Sequence, residues 1–222
     1  MKLTKWTLVA LAFCFMSMLF VQPASAAAFL DFNMDAVHPD TASISFAGGD
    51  NPLIGVDISV DEVVGIGTPG NDGVVIDIVN GVLAFQTGNL VSSTASTWVF
   101  DGGGTITVTG DIGNGPVTLI SGQFTSASVT AAGDTFKVTI ATFVDTKDPD
   151  LVEFYGFDPA IIPGWNGNFN LSFAADGLPP GAFQSGDVLS GDIVNTPVPE
   201  PGSLLLLGTG LIAAYGFIRR RK

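Results

Sequence analysis

The chain has 222 residues, with 8 Lys and Arg against 21 Asp and Glu, a formal net charge of −13 at pH 7 and a single cysteine. Nucleic-acid binding needs a cationic footprint, so this balance excludes it, together with adhesion to anionic lipid. One cysteine excludes a disulfide scaffold, while the roughly 170 residues between the two ends are enough to enclose one core.

The first stretch is a leader. Lys2 and Lys5 form a positive n-region, Thr7 to Val21 an apolar h-region, and Ala24-Ser25-Ala26 an A-x-A site with Ala27 following the cut. This pattern predicts a secretory signal peptide over residues 1–26, removed by signal peptidase. An uncleaved N-terminal anchor fits less well, because small Ala24 and Ala26 suit the peptidase. A lipoprotein anchor through Cys14 fits less well again, since bulky Phe13 precedes it and the cysteine lies inside the apolar run. Cys14 then leaves with the leader, and the exported body must be held by its core or by bound ions.

Charge is unevenly spread. The leader carries +2 and the C-terminal tail +3, so the body between them carries −18, with Lys137 and Lys147 as its cations. Only Glu62 and Glu153 of the body's acids are Glu; the rest are Asp, a turn residue, which places much of the charge on loops.

The body reads as β, with turn clusters every 8 to 12 residues. Thr41 to Phe46 alternates, with Ala42, Ile44 and Phe46 on one face. Leu53 to Val60 and Val63 to Ile66 follow. Val74 to Val79 and Val82 to Thr87 flank Asn80-Gly81, which predicts a type I′ hairpin. Thr97 to Phe100 and Thr105 to Thr109 are next, then the long Val117 to Ser128 with Gly122 as a bulge. Thr135 to Asp145 is expected to put Phe136, Val138, Ile140 and Val144 on one face. Asp148-Pro149 through Gly156 has an N-cap acid, Pro at the first helical position and a terminal Gly, so it predicts one short helix. Trp165 to Ala175 returns to strand, with Phe169, Leu171 and Phe173 together. From Leu178 to Pro197, Gly, Pro, Asp and Ser accumulate, which predicts a linker.

The expected architecture is all-β: a single, mostly antiparallel β-sandwich over residues 27–177, jelly-roll-like, of roughly nine to eleven strands, with a β-helix as the lesser alternative. A linker over 178–197 would carry a tail over 198–222.

Chemistry is sparse. The sole histidine, His38, has no Gly-x-Ser-x-Gly elbow to work with, and zinc lacks its usual ligands. No catalytic residue is assigned, and the protein is expected not to be an enzyme. Calcium is the one cofactor for which the sequence offers ligands: Asp145, Asp148, Asp150 and Glu153 form one acidic group, and Asp57, Asp61 and Glu62 a second. Neither group matches an EF-hand loop, Gly70-Asn71-Asp72-Gly73 is only a fragment of a calcium-binding nonapeptide, and the first group also reads as a helix N-terminus. A sugar-binding or glycan-active module is the alternative from another class. It would use a carboxylate pair with Trp98, Trp165 or Tyr155 stacked on the ring; against it, aromatics in β domains mostly pack in cores. Asn170-Leu171-Ser172 fits a glycosylation sequon but alternates within a strand.

The tail holds three parts in order: Pro199-Glu200-Pro201, an apolar run from Ser203 to Ile218 without charge, and the terminal Arg219, Arg220, Arg221 and Lys222. At about 1.5 Å per residue the run spans roughly 24 Å as a helix, short of a hydrocarbon core of about 30 Å. It predicts a marginal membrane helix whose four cations stay cytoplasmic, with the body outside. On physical grounds, permanent anchoring and proteolytic processing after the rigid prolines remain open. The three parts together resemble the PEP-CTERM sorting signal of exported bacterial proteins. The resemblance implies processing by exosortase, a membrane-embedded cysteine transpeptidase of Gram-negative species that make exopolysaccharide. It further implies transient anchoring, then a place on the cell surface, in the extracellular matrix of a biofilm, or in the medium, with exopolysaccharide as a candidate partner.

Overall fold

The computed structural model describes residues 27–34, 41–133, 135–175, 177, 181–185 and 187–198. The leader through Ala26, His38, and the tail from Pro199, with the expected membrane helix over 203–218, lie outside the described residues.

Among the described residues, thirteen strands and one helix follow in chain order: β1 (Phe29–Met34), β2 (Ser43–Phe46), β3 (Pro52–Ser59), β4 (Glu62–Ile66), β5 (Val75–Asp77), β6 (Val79–Ser93), β7 (Thr97–Phe100), β8 (Gly103–Asp111), β9 (Pro116–Ala132), β10 (Thr135–Lys147), α1 (Pro149–Phe154), β11 (Trp165–Ala174), β12 (Phe183–Ser185) and β13 (Asp187–Pro197). The fold is thus antiparallel β-sheet with one short helix, as the alternation and turn spacing predict. All thirteen strands belong to one sheet, ordered β12-β2-β3-β6-β7-β9-β10-β11-β13-β1-β4-β5, with β8 also filling the gap between β6 and β9.

This sheet folds over so that distant strands share a core. Phe85 on β6 meets Phe169 on β11 edge-on at 5.2 Å, although three strands separate them along the hydrogen-bonded path. Phe183 on β12 packs against Phe136 of β10 and Phe173 of β11, and Phe46 of β2 against Phe100 of β7. Such ring pairs add to burial of large apolar area and fix how the two inner faces meet. Glycine makes room for two of the rings: a Cβ on Gly55 would lie 2.1 Å from the Phe85 ring, and one on Gly167 2.0 Å from that of Phe143.

Four expectations are corrected. Residues 178–197 are not simply a linker: β12 pairs with β2, and β13 lies between β11 and β1, with Val188, Ile193 and Asn195 buried. Asn80-Gly81 does not turn a hairpin. Asn80 has the positive φ that Asn-Gly favours, but uses it for a bulge in β6 between the pairs Val79/Asp111 and Val82/Thr109, while β5 pairs with β4. On β10, an extra residue between Val138 and Ile140 shifts the alternation, so Ala141, Phe143 and Asp145 follow Phe136 and Val138 inward and Val144 faces out. Gly122 pairs in register with Asp145; the extra residue on β9 is Thr125 against β10 and Leu119 against β8. A Cβ on Gly122 would come within 2.7 Å of Asp145 Cβ, so close approach rather than a bulge requires glycine there.

The helix forms as predicted. Asp148 Oδ1 accepts from Leu151 N, Pro149 takes the first turn, and Gly156 follows at φ +78°. Tyr155, fully buried, places its hydroxyl 2.9 Å from the carbonyls of both Val63 and Val74, tying the end of α1 to β4 and to the residue before β5.

Two outcomes check this architecture. Truncation after Ser185 removes β13 and should abolish cooperative unfolding by circular dichroism, whereas a chain ending at Val198 should retain it. Tyr155→Phe should lower stability by about 1–3 kcal/mol in urea denaturation, the cost of leaving the buried Val63 carbonyl without this donor.

Candidate functional site

Several of the body's acids cap turns, and Asp145 is buried. Asp72, Asp101, Asp111, Asp148 and Asp158 each accept backbone N–H groups of their own turns. This is the loop role expected of Asp, and it disperses the first acidic group: Asp148 caps α1, Asp150 accepts from Asn114 Nδ2, Glu153 is exposed, and Asp145 points into the core. In the second group Asp57 and Asp61 line one open cleft of about 500 Å³ with Ser59 and Asn80, while Glu62 accepts from Asn33. No three His, Cys, Asp or Glu side chains among the described residues converge as metal ligands. Asn71, in the nonapeptide-like turn, instead donates to the Phe154 carbonyl at the end of α1.

The aromatic side chains named for sugar stacking lie inside: Trp98 and Tyr155 are 0% exposed and Trp165 2%. Asn170, half-buried on β11, sits across from Asp192 and donates to it at 3.4 Å.

What the fold brings together is a polar group under the last strand. Asp145 and Lys147, two apart on β10, share its inner face, and Lys147 Nζ lies 2.6 Å from Asp145 Oδ2 with both side chains fully buried. Asn195, on β13, donates through Nδ2 to the same oxygen at 2.7 Å. It reaches across β11 beside Gly167, its register partner, which presents no side chain between the two. The Lys147 ammonium stands 5.5 Å from the Trp165 ring and 5.9 Å from that of Phe32. Burial outweighs the partner: it pushes Asp145 up to about 6, against the lowering effect of Lys147, and pulls Lys147 down to about 8, against the raising effect of Asp145.

Directly beyond this group the body ends. Pro197 pairs with Trp165, and Val198 N donates to the Gly164 carbonyl at 3.0 Å. Residues 197–222 match the family of the PEP-CTERM protein-sorting motif. The chain carries a PEP-CTERM signal. Pro199, Glu200, Pro201 and the basic Arg219, Arg220, Arg221 and Lys222 all fall within the match, which supports export, sorting toward the cell surface and processing by exosortase. No curated protein and no solved structure matches the chain.

The PEP-CTERM match begins where β13 ends, so the sorting signal joins the folded sheet without an intervening stalk. Sequence reasoning missed Lys147 and Asn195. A lysine two residues beyond Asp145 within an acidic β body was the available signal for the first. The linker expectation for 178–197 hid the second.

Acid should stabilise this body over a defined window. Burial raises Asp31 on β1, helped by neighbouring Asp192 and Glu62, and Asp145 is raised to about 6. A carboxyl whose folded pKa exceeds its unfolded one contributes stability that is present below the unfolded value and is lost as pH rises through the folded value. The melting temperature should therefore be higher at pH 5 than at pH 7.5, and Asp31→Asn should raise it at pH 7.5 and narrow the difference.

Proposed function

We propose that this is an exported, non-enzymatic surface or matrix protein. In this reading its leader through Ala26 is removed by signal peptidase, its apolar run from Ser203 to Ile218 holds it briefly in the inner membrane, and exosortase then frees the body from the tail. The match of residues 197–222 to the PEP-CTERM motif carries the reading. The disposition of the side chains supports it: the acids at turns are occupied with backbone N–H groups, the large aromatics pack in the core, and the buried Asp145, Lys147 and Asn195 side chains bond to one another across strands. The strongly acidic body suits a hydrated matrix, with exopolysaccharide as the partner that the sorting route brings near.

The C-terminal mass of the mature protein tests this. In cells with an exosortase it should lack Ser203 to Lys222; in cells without one, the full-length tail should stay with the membrane fraction. Surface protein that keeps Lys222 in exosortase-positive cells would replace processing by permanent anchoring.

A further inference from the structure

We infer that Lys147 and Asn195 become joined after folding by a side-chain amide bond between Nζ and Cγ, with Asp145 as the proton relay. Three observations carry this. The first is proximity: Lys147 Nζ and Asn195 Nδ2 lie 2.6 and 2.7 Å from the same oxygen, Asp145 Oδ2, so the two nitrogens are no further apart than the sum of those distances. The amine and the amide group are thus gathered on the carboxylate that must move the proton. The second is enclosure. The side chains of Lys147 and Asp145 and all of Asn195 are 0% exposed, and the Phe32 and Trp165 rings flank the amine, so water does not compete for the carbonyl. The third is unspent capacity: Asp145 Oδ1 and Asn195 Oδ1 have no hydrogen-bond partner among the described residues. With its carboxyl protonated, Asp145 can donate to the Asn195 carbonyl once the amide turns over, polarising Cγ.

Burial moves the two titrating groups toward each other, Lys147 to about 8 and Asp145 to about 6, so the proton passes from ammonium to carboxylate at small cost and leaves a nucleophilic amine. The Nζ lone pair then attacks Cγ. The new C–N bond forms, Asp145 gives the proton it holds to Nδ2, the Cγ–Nδ2 bond breaks and ammonia leaves, and the carboxylate so freed takes the surplus proton from Nζ. No oxidant, reductant or other co-reactant is needed. The product ties β10 to β13 across β11, in a body whose residues from 27 onward contain no cysteine.

The full chain, expressed with its leader and purified after export, tests the bond independently of how its tail is processed. After cleavage at aspartate, mass spectrometry should find a branched peptide linking Lys147 to Asn195, lighter than its two parents by one ammonia, about 17 Da. Amine labelling of the denatured protein should modify Lys137 but not Lys147. Lys147→Arg and Asp145→Asn chains should give only linear peptides. Recovery of wild-type Lys147 and Asn195 in unmodified linear peptides, with Lys147 labelled, would overturn the proposal whether or not the variants fold. So would a water-sized loss joining Lys147 to Asp145.

Discussion

The structure depends on the insertion of β13 between β11 and β1. In the sheet order this strand is the junction between β10-β11 on one side and β1-β4-β5 on the other, so both flanking blocks satisfy their backbone groups through it. Its inward residues Val188 and Ile193 complete the floor beneath the aromatic layer, and Asn195 anchors its end to Asp145. The same strand leads without interruption into the sorting motif. One segment therefore closes the core and bears the address.

The polar group beneath it is an unusual place for one of the two cations in a body of net charge −18. Desolvating an ammonium and a carboxylate is costly, and apolar side chains of similar size often serve stability as well. What the pair with Asn195 supplies is register. If β13 slid by one residue, Val194 or Thr196 would face Asp145, the buried charges would lose the amide, and the inward apolar residues would turn to solvent. The group thus specifies which residue of the last strand lies in the core, whether or not a covalent bond later makes the choice permanent.

Much of the fold was legible where alternation and turn chemistry agree. The inward set of Ala42, Ile44 and Phe46, that of Phe169, Leu171 and Phe173, and the Asp148-Pro149 helix start all stand as their residue patterns require. The motif at the C-terminus was legible because three physically distinct parts occur in a fixed order. Elsewhere local signals were ambiguous. Asn80-Gly81 favours positive φ, which serves a bulge as well as a hairpin, and tertiary pairing decided between them. Counting along β10 could not reveal the extra residue that turns Val144 outward and Asp145 inward. Residues 187–197 read as a linker because Gly191, Asp192 and Ser190 dilute the pattern, yet Val188, Ile193 and Asn195 mark its inner face. The first strand, Phe29–Met34, has no counterpart in the sequence reading, which begins the body's strands at Thr41.

Order of synthesis has its own bearing on how this sheet assembles. A polypeptide delivered across a membrane from its amino end presents β1 early, yet one of that strand's two neighbours arrives last. Until it does, the central gap stays open and two ladders of amide and carbonyl groups are without partners. Closure joins segments more than 150 residues apart, the kind of non-local pairing that makes β folding slow. An exported chain of this design matures only near the end of its passage, when its final strand slides into place.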